Sequence, residues 1–116
     1  MTSVHDVLKG RLMLLQSENP DLTFEDDQMD TELGTRALIR VLDGDEVMAL
    51  EFIEPEELWL EPDAADEYVE TVEEGIQVTV IVPTEEKEEA MDILGSEGKV
   101  KVLGYDEIDA SLRYAR

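Results

Sequence analysis

Apolar residues recur every three or four positions in several blocks of the chain, which is the spacing of a helix with one buried face. Over residues 4–17 this spacing predicts an amphipathic helix that begins at a capping pair of Ser3 and Asp6. Gly10 lies within it and marks a close approach of another element. Similar spacing predicts three more helices, at 63–74, 84–94 and 106–114. Val69 and Ile93 fall within the apolar blocks of the second and third helices, and we expect both to be buried.

Two strand-like runs, 36–42 and 47–53, are separated by a short segment that contains Asp43-Gly44, which predicts a β-hairpin. The second run is apolar on both faces apart from Glu51, so it should lie in the centre of a sheet. Arg40, across the hairpin, is the partner we expect for Glu51.

Residues 76–103 contain a strand, a helix and a second strand, as a crossover between parallel strands requires. The predicted fold class is therefore α+β, with helices packed on a mixed sheet of four or five strands. At 116 residues we expect one compact acidic domain, residues 1–116. Residues 19–35 are strongly acidic with few apolar anchors, and we expect a mobile loop there with a short strand at 22–24 at most. Leu58–Leu60 should form a short strand or a turn.

The net charge of the chain is far more negative than that of an ordinary domain. Asp and Glu number 31 against 9 Lys and Arg, which gives −22 at neutral pH. Spread over a sphere of about 17 Å radius, this charge repels itself by roughly 20 kcal/mol at 0.1 M salt and roughly 9 kcal/mol at 1 M. The composition resembles that of proteins from salt-accumulating archaea and bacteria, which implies a preference for salt. An acidic face for a basic partner is the competing interpretation.

Composition also excludes several functions. Nine cations do not supply the basic groove that direct binding of DNA or RNA requires. The absence of cysteine excludes disulfides, thiolate metal sites and thiol nucleophiles, and His5 is the sole histidine. No phosphate-binding glycine motif occurs, so we expect no cofactor. No apolar run is long enough for a membrane span and no leader is recognisable, so the expected location is the cytoplasm.

Two acidic segments are candidate sites for calcium or magnesium. Residues 25–32 offer carboxylates at Asp26, Asp27, Asp30 and Glu32, and residues 43–46 offer Asp43 and Asp45 at a hairpin tip. Hard cations prefer several oxygen ligands at one site. On the calcium-loop template, however, Thr31 replaces the glycine of the sharp turn and Ala37 replaces the bidentate glutamate. Solvated loops are the plainer interpretation of both segments.

Trp59, flanked by Leu58 and Leu60, is the candidate anchor of a protein interface, although a core position is the interpretation that we favour for Trp59. No catalytic set of residues emerges. Our leading hypothesis is a small non-enzymatic accessory or regulatory domain that acts through a protein partner or as a homodimer. The alternatives are a divalent-cation binding protein, an enzyme built on carboxylates gathered in a cleft, and a mimic of nucleic-acid charge.

Overall fold

Five strands form one mixed sheet that carries helices on both faces. The computed structural model describes residues 3–95 and 99–115. The helices are α1 (Val4–Glu18), α2 (Pro62–Glu73) and α3 (Lys87–Leu94), and the strands are β1 (Thr23–Thr31), β2 (Gly34–Asp43), β3 (Glu46–Ile53), β4 (Gln77–Val82) and β5 (Val100–Gly104). Their spatial order is β1-β2-β3-β4-β5. The first three strands are antiparallel, and β3, β4 and β5 are parallel. The predicted α+β class and hairpin are confirmed.

Each face of the sheet has its own apolar cluster. On one face, α1 contributes Val7 and Leu8 to a cluster with Ile39 and Ile53 of the sheet. On the other face, α2 and α3 pack on a cluster that includes Phe52. Strand β3 is central, as its two apolar faces predict. The expected parallel crossover joins β4 to β5 through α3, with residues 96–98 outside the described part, and a second crossover joins β3 to β4 through α2.

The expected loop at 19–35 is wrong over most of its length, because Thr23–Thr31 is a regular edge strand. It pairs with β2 from Thr23 to Thr31 through a two-residue turn, and Gly34 there has φ +123°, a value that favours glycine. Cross-strand contacts support it, since Arg40 pairs with Glu25 and Asp27. Its outward carboxylates suit a sheet edge, where charge discourages pairing with another chain. A composition that resembles a loop therefore belongs to a solvated edge strand.

The expected helix at 106–114 is also wrong. A single 3-10 turn, Tyr105–Glu107, is followed by turns and bends and then by backbone without regular secondary structure. We call residues 105–115 the C-terminal strap. Its carbonyl oxygens at Ile108, Ala110 and Ser111 accept hydrogen bonds from the Arg11 guanidinium, so they are held by α1. The Leu58–Leu60 segment is a 3-10 turn rather than a strand.

Asn19, at the end of α1, holds the strap through side-chain hydrogen bonds. Its Nδ2 donates to the carbonyls of Leu15 and Leu112, and its Oδ1 accepts the Tyr114 N–H at 3.0 Å. Gly10 permits the close approach that its position predicted, because a Cβ there would lie 2.9 Å from Ile108 Cδ1. The strap thus packs along α1, and four of its carbonyls and the Tyr114 N–H are hydrogen-bonded to side chains of Arg11 and Asn19.

We expect Asn19→Ala to lower the free energy of unfolding by about 1 to 3 kcal/mol, because the partly buried Leu112 carbonyl and Tyr114 N–H lose these hydrogen bonds. Hydrogen exchange of the Tyr114 amide should accelerate more than that of amides in β3. Urea unfolding and NMR exchange measure the two effects. Unchanged protection at Tyr114 would show that Asn19 does not hold the strap.

Candidate functional site

Glu51 of β3 is fully buried and forms an ion pair with Arg11 of α1, also fully buried. The Arg11 Nε donates to Oε1 at 2.7 Å and its Nη2 to Oε2 at 2.9 Å. The Tyr114 hydroxyl of the strap donates to Oε2 as well. The expected pair of Glu51 with Arg40 is wrong: Arg40 lies opposite Leu50 in the register, and a one-residue step along a strand places a side chain on the other face.

Glu54, directly after β3, repeats the arrangement on the opposite side of the sheet. Its carboxylate is fully buried, and Arg36 donates from Nε to Oε1 at 3.0 Å and from Nη2 to Oε2 at 2.6 Å. The Tyr68 hydroxyl of α2 donates to Oε2. Arg36 also contacts Glu67 and lies 5.4 Å from the centre of the Phe52 ring. We call these two sets the Glu51 triad and the Glu54 triad.

Both triads have the composition of an acid–base site but the geometry of a structural one. Each carboxylate accepts three hydrogen bonds and neither is exposed to solvent. Burial raises the pKa of the Tyr114 and Tyr68 hydroxyls, and the adjacent carboxylates raise it further. Burial also raises the pKa of Glu54, which Arg36 and Tyr68 only partly offset. A general base must reach its substrate, and neither Glu51 nor Glu54 is accessible from solvent.

The six predicted metal-ligating residues lie in two separate places. Asp26, Asp27 and Asp30 are on β1 with Glu32 in the turn that follows it, whereas Asp43 and Asp45 lie at the turn between β2 and β3. These turns are at opposite ends of the ten-residue strand β2, about 30 Å apart at 3.3 Å per residue. Asp27 pairs with Arg40, and Asp30 accepts a hydrogen bond from Thr35. Cation binding by either group stays a prediction.

Within the described residues, a different set of three carboxylates lies close enough together to share a metal ion. Glu56, Glu85 and Glu86 bring one oxygen each within 4.8 Å of one another, beside the ends of β3 and β4. The Glu86 Oε1 already accepts hydrogen bonds from the Glu57 N–H and from Trp59 Nε1, both at 2.8 Å. Calcium takes about six to eight oxygens. Three side chains, one of them engaged, fall short of that set.

The candidate interface residues have different exposures. Trp59 is 1% exposed and Leu58 is 8% exposed, so both belong to the core in this chain, and Leu60 is 43% exposed. The Trp59 indole is also held by Glu86. Of the three, Leu60 alone is available at the surface.

A groove between α2 and α3 exposes apolar side chains that the sequence pattern assigns to the core. Val69 is 52% exposed and Ile93 is 51% exposed, and both line a cavity of about 260 Å³. We call this cavity the α2–α3 groove. Its other apolar walls come from Ala65, Tyr68, Val72, Leu94 and Val100. Sequence periodicity located these residues on the apolar sides of their helices. It could not show that Val69 and Ile93 would remain uncovered by any described element.

The two helices that form the α2–α3 groove are strongly acidic. Helix α2 carries five acidic residues and no basic one. Helix α3 carries three, with Lys87 as its cation, and Lys87 is paired with Glu107 at 2.5 Å. Glu73 and Lys99 are the charged residues that line the groove itself. The site is thus an apolar strip within a strongly negative surface.

Neither a known protein family nor a curated protein sequence matches this chain. None of the described helices has the length and apolar character required to cross a membrane. Arguments about function therefore depend on the geometry of the molecule.

We expect Arg11→Met to lower the free energy of unfolding by about 3 to 5 kcal/mol, because it leaves the Glu51 carboxylate buried without its cation. Arg40→Met is the matched control, since Arg40 pairs with exposed Glu25 and Asp27, and it should cost about 0 to 1 kcal/mol. Urea unfolding of wild type and the two variants measures both losses in free energy. Equal losses would show that the Glu51 triad is no more important than a surface pair.

Glu54 and Glu107 should affect the pH dependence of stability in opposite directions. The raised pKa of Glu54 means that its contribution is present below its ordinary value of 4.5 and is lost as pH rises through the folded-state value. The hydrogen bonds from Lys87 and from the Gly104 N–H lower the pKa of Glu107. Its contribution is therefore present above 4.5 and is lost as pH falls through the lowered value.

The measurement is urea unfolding of wild type, Glu54→Gln and Glu107→Gln between about pH 3.5 and about pH 8. The stability of wild type relative to Glu54→Gln should decrease with rising pH, and that relative to Glu107→Gln should increase. Two differences with the same slope would contradict these environments.

Proposed function

We propose that this chain is a protein-binding accessory or regulatory domain that recognises a positively charged partner through its α2–α3 face. The observation that carries the proposal is the pair of half-exposed apolar side chains, Val69 and Ile93, in one groove. Apolar patches bordered by polar residues mark interaction surfaces in many proteins. Contact rather than chemistry is the role that such a surface suits.

The charge around the groove specifies the kind of partner. Eight carboxylates on α2 and α3 face solvent with one lysine on those helices, and that lysine is engaged by Glu107. Charge complementarity accelerates encounter with a cationic partner and disfavours other partners. It also disfavours a second copy of this chain at this face, because two identical acidic surfaces would meet.

The buried polar groups support a contact function indirectly. Two of the nine cations, Arg11 and Arg36, are used inside the Glu51 and Glu54 triads, and Arg40 is used at the sheet edge. These pairs leave the carboxylates of α2 and α3 largely without intramolecular partners. A cationic partner would supply the missing counter-charge.

The test compares charge reversal on two faces. The probe is a synthetic leucine–lysine peptide of about 17 residues, long enough to form a helix, titrated calorimetrically at about 0.15 M KCl. We expect Glu70→Lys/Glu73→Lys to weaken binding about tenfold or more. Asp26→Lys/Glu46→Lys changes the net charge equally on β1 and β3, and it should change affinity by no more than about twofold.

An equal loss in both double variants would contradict the proposal, because it would show attraction to the total charge rather than to the α2–α3 face. Absence of measurable binding by wild type would contradict it as well.

A further inference from the structure

The α2–α3 groove has the size and walls of a site for side chains rather than for a small molecule. Its volume of about 260 Å³ lies below the usual range of about 300 to 1,000 Å³ for small-molecule pockets. The contribution of α2 runs from Ala65 to Glu73, which is slightly more than two helical turns or about 12 Å. Two apolar side chains spaced about 5 to 6 Å apart, as at positions i and i+4 of a helix, would occupy that length.

The backbone chemistry of the groove favours a helical occupant over an extended one. Six of its seven apolar wall residues come from α2 and α3, whose own hydrogen bonds occupy their backbone groups, and only Val100 comes from a strand. An extended segment lying there would find few partners for its own N–H and C=O groups. A helix satisfies those groups internally and presents its side chains to the groove.

The charge pattern determines the polar face of the occupant. Glu73 and Lys99 line the groove itself, and α2 and α3 carry further exposed carboxylates beside it in sequence, among them Asp66, Glu70, Glu89 and Asp92. Lysine or arginine on both flanks of an apolar stripe would meet these carboxylates across the rim. The net negative charge of α2 and α3 disfavours an acidic helix, including α2 of a second copy.

From these three observations we infer that the α2–α3 groove binds a cationic amphipathic helix, which places apolar side chains at i and i+4 between Val69 and Ile93. This inference rests on the proposed function and specifies its partner. The affinity should depend on the apolar stripe of the ligand and on these two residues, in addition to charge.

The experiment uses two peptides of identical leucine–lysine composition, one with helical amphipathic spacing and one scrambled so that no apolar stripe forms. We expect the amphipathic peptide to bind about tenfold or more tightly than the scrambled one. In NMR titrations it should shift the amides of α2 and α3 around the groove, and circular dichroism should show that it becomes helical on binding.

Variants of the chain provide the second arm. Val69→Ser/Ile93→Ser leaves the charge unchanged and should weaken binding of the amphipathic peptide about tenfold. Met13→Ser/Met29→Ser is the matched control, because both methionines are more than 60% exposed on other elements, and it should leave affinity unchanged. Thermal unfolding of each variant confirms that the fold is retained.

The outcomes separate the two proposals. If both peptides bind equally and Val69→Ser/Ile93→Ser has no effect, while Glu70→Lys/Glu73→Lys still weakens binding, the face is correct and the helical occupant is wrong. If a peptide binds in an extended form with amide shifts along β1 or β5, strand addition replaces the inference. If none of the variants on α2 and α3 affects binding, both proposals fail.

Discussion

The structure depends on the neutralisation of two glutamates at the central strand of the sheet. Glu51 points to the layer of α1 and the C-terminal strap, and Glu54 points to the layer of α2. Each is buried, and a buried carboxylate costs several kcal/mol unless a cation and further hydrogen bonds compensate it. Arg11 and Arg36 provide that compensation bidentately, and a tyrosine from a separate element completes each set. The same interaction therefore links the sheet to the elements on both of its faces.

The use of arginines in the interior leaves fewer cations to pair with the surface carboxylates. The chain has nine cations for 31 acids, and the interior and the sheet edge take three of the arginines. Most of the remaining carboxylates depend on water and dissolved ions for their stabilisation. Salt should reduce their mutual repulsion, since the Debye length falls from about 10 Å at 0.1 M to about 3 Å at 1 M, whereas buried pairs are screened much less. The exposed apolar groove lies within this negative surface, and its partner is expected to replace part of the ionic atmosphere.

Sequence periodicity predicted the elements whose apolar faces are buried and failed where tertiary contacts decide. Strand β3 and its hairpin followed from alternation and the Asp-Gly turn. Strand β1 did not, because its pairing with β2 and the Arg40 contacts outweigh a composition that is unfavourable for strands. The helix predicted for the strap does not form, because Arg11, which is distant in sequence, binds the strap carbonyls. A signal for that contact was present, since Arg11 lies on the buried stripe of α1 between Leu8 and Leu15. The α2–α3 groove had no such signal, because a periodic pattern cannot show which apolar residues remain uncovered.

We infer that the interior charges are paired and insulated, while the outer carboxylates are solvated and repel one another. The most direct test is urea unfolding of wild type and Arg11→Met at about 0.1 M and about 2 M KCl. Wild type should become more stable in high salt, and the loss caused by Arg11→Met should stay the same at both concentrations. A wild type as stable in dilute buffer as in molar KCl, or a loss that disappears in high salt, would contradict this inference.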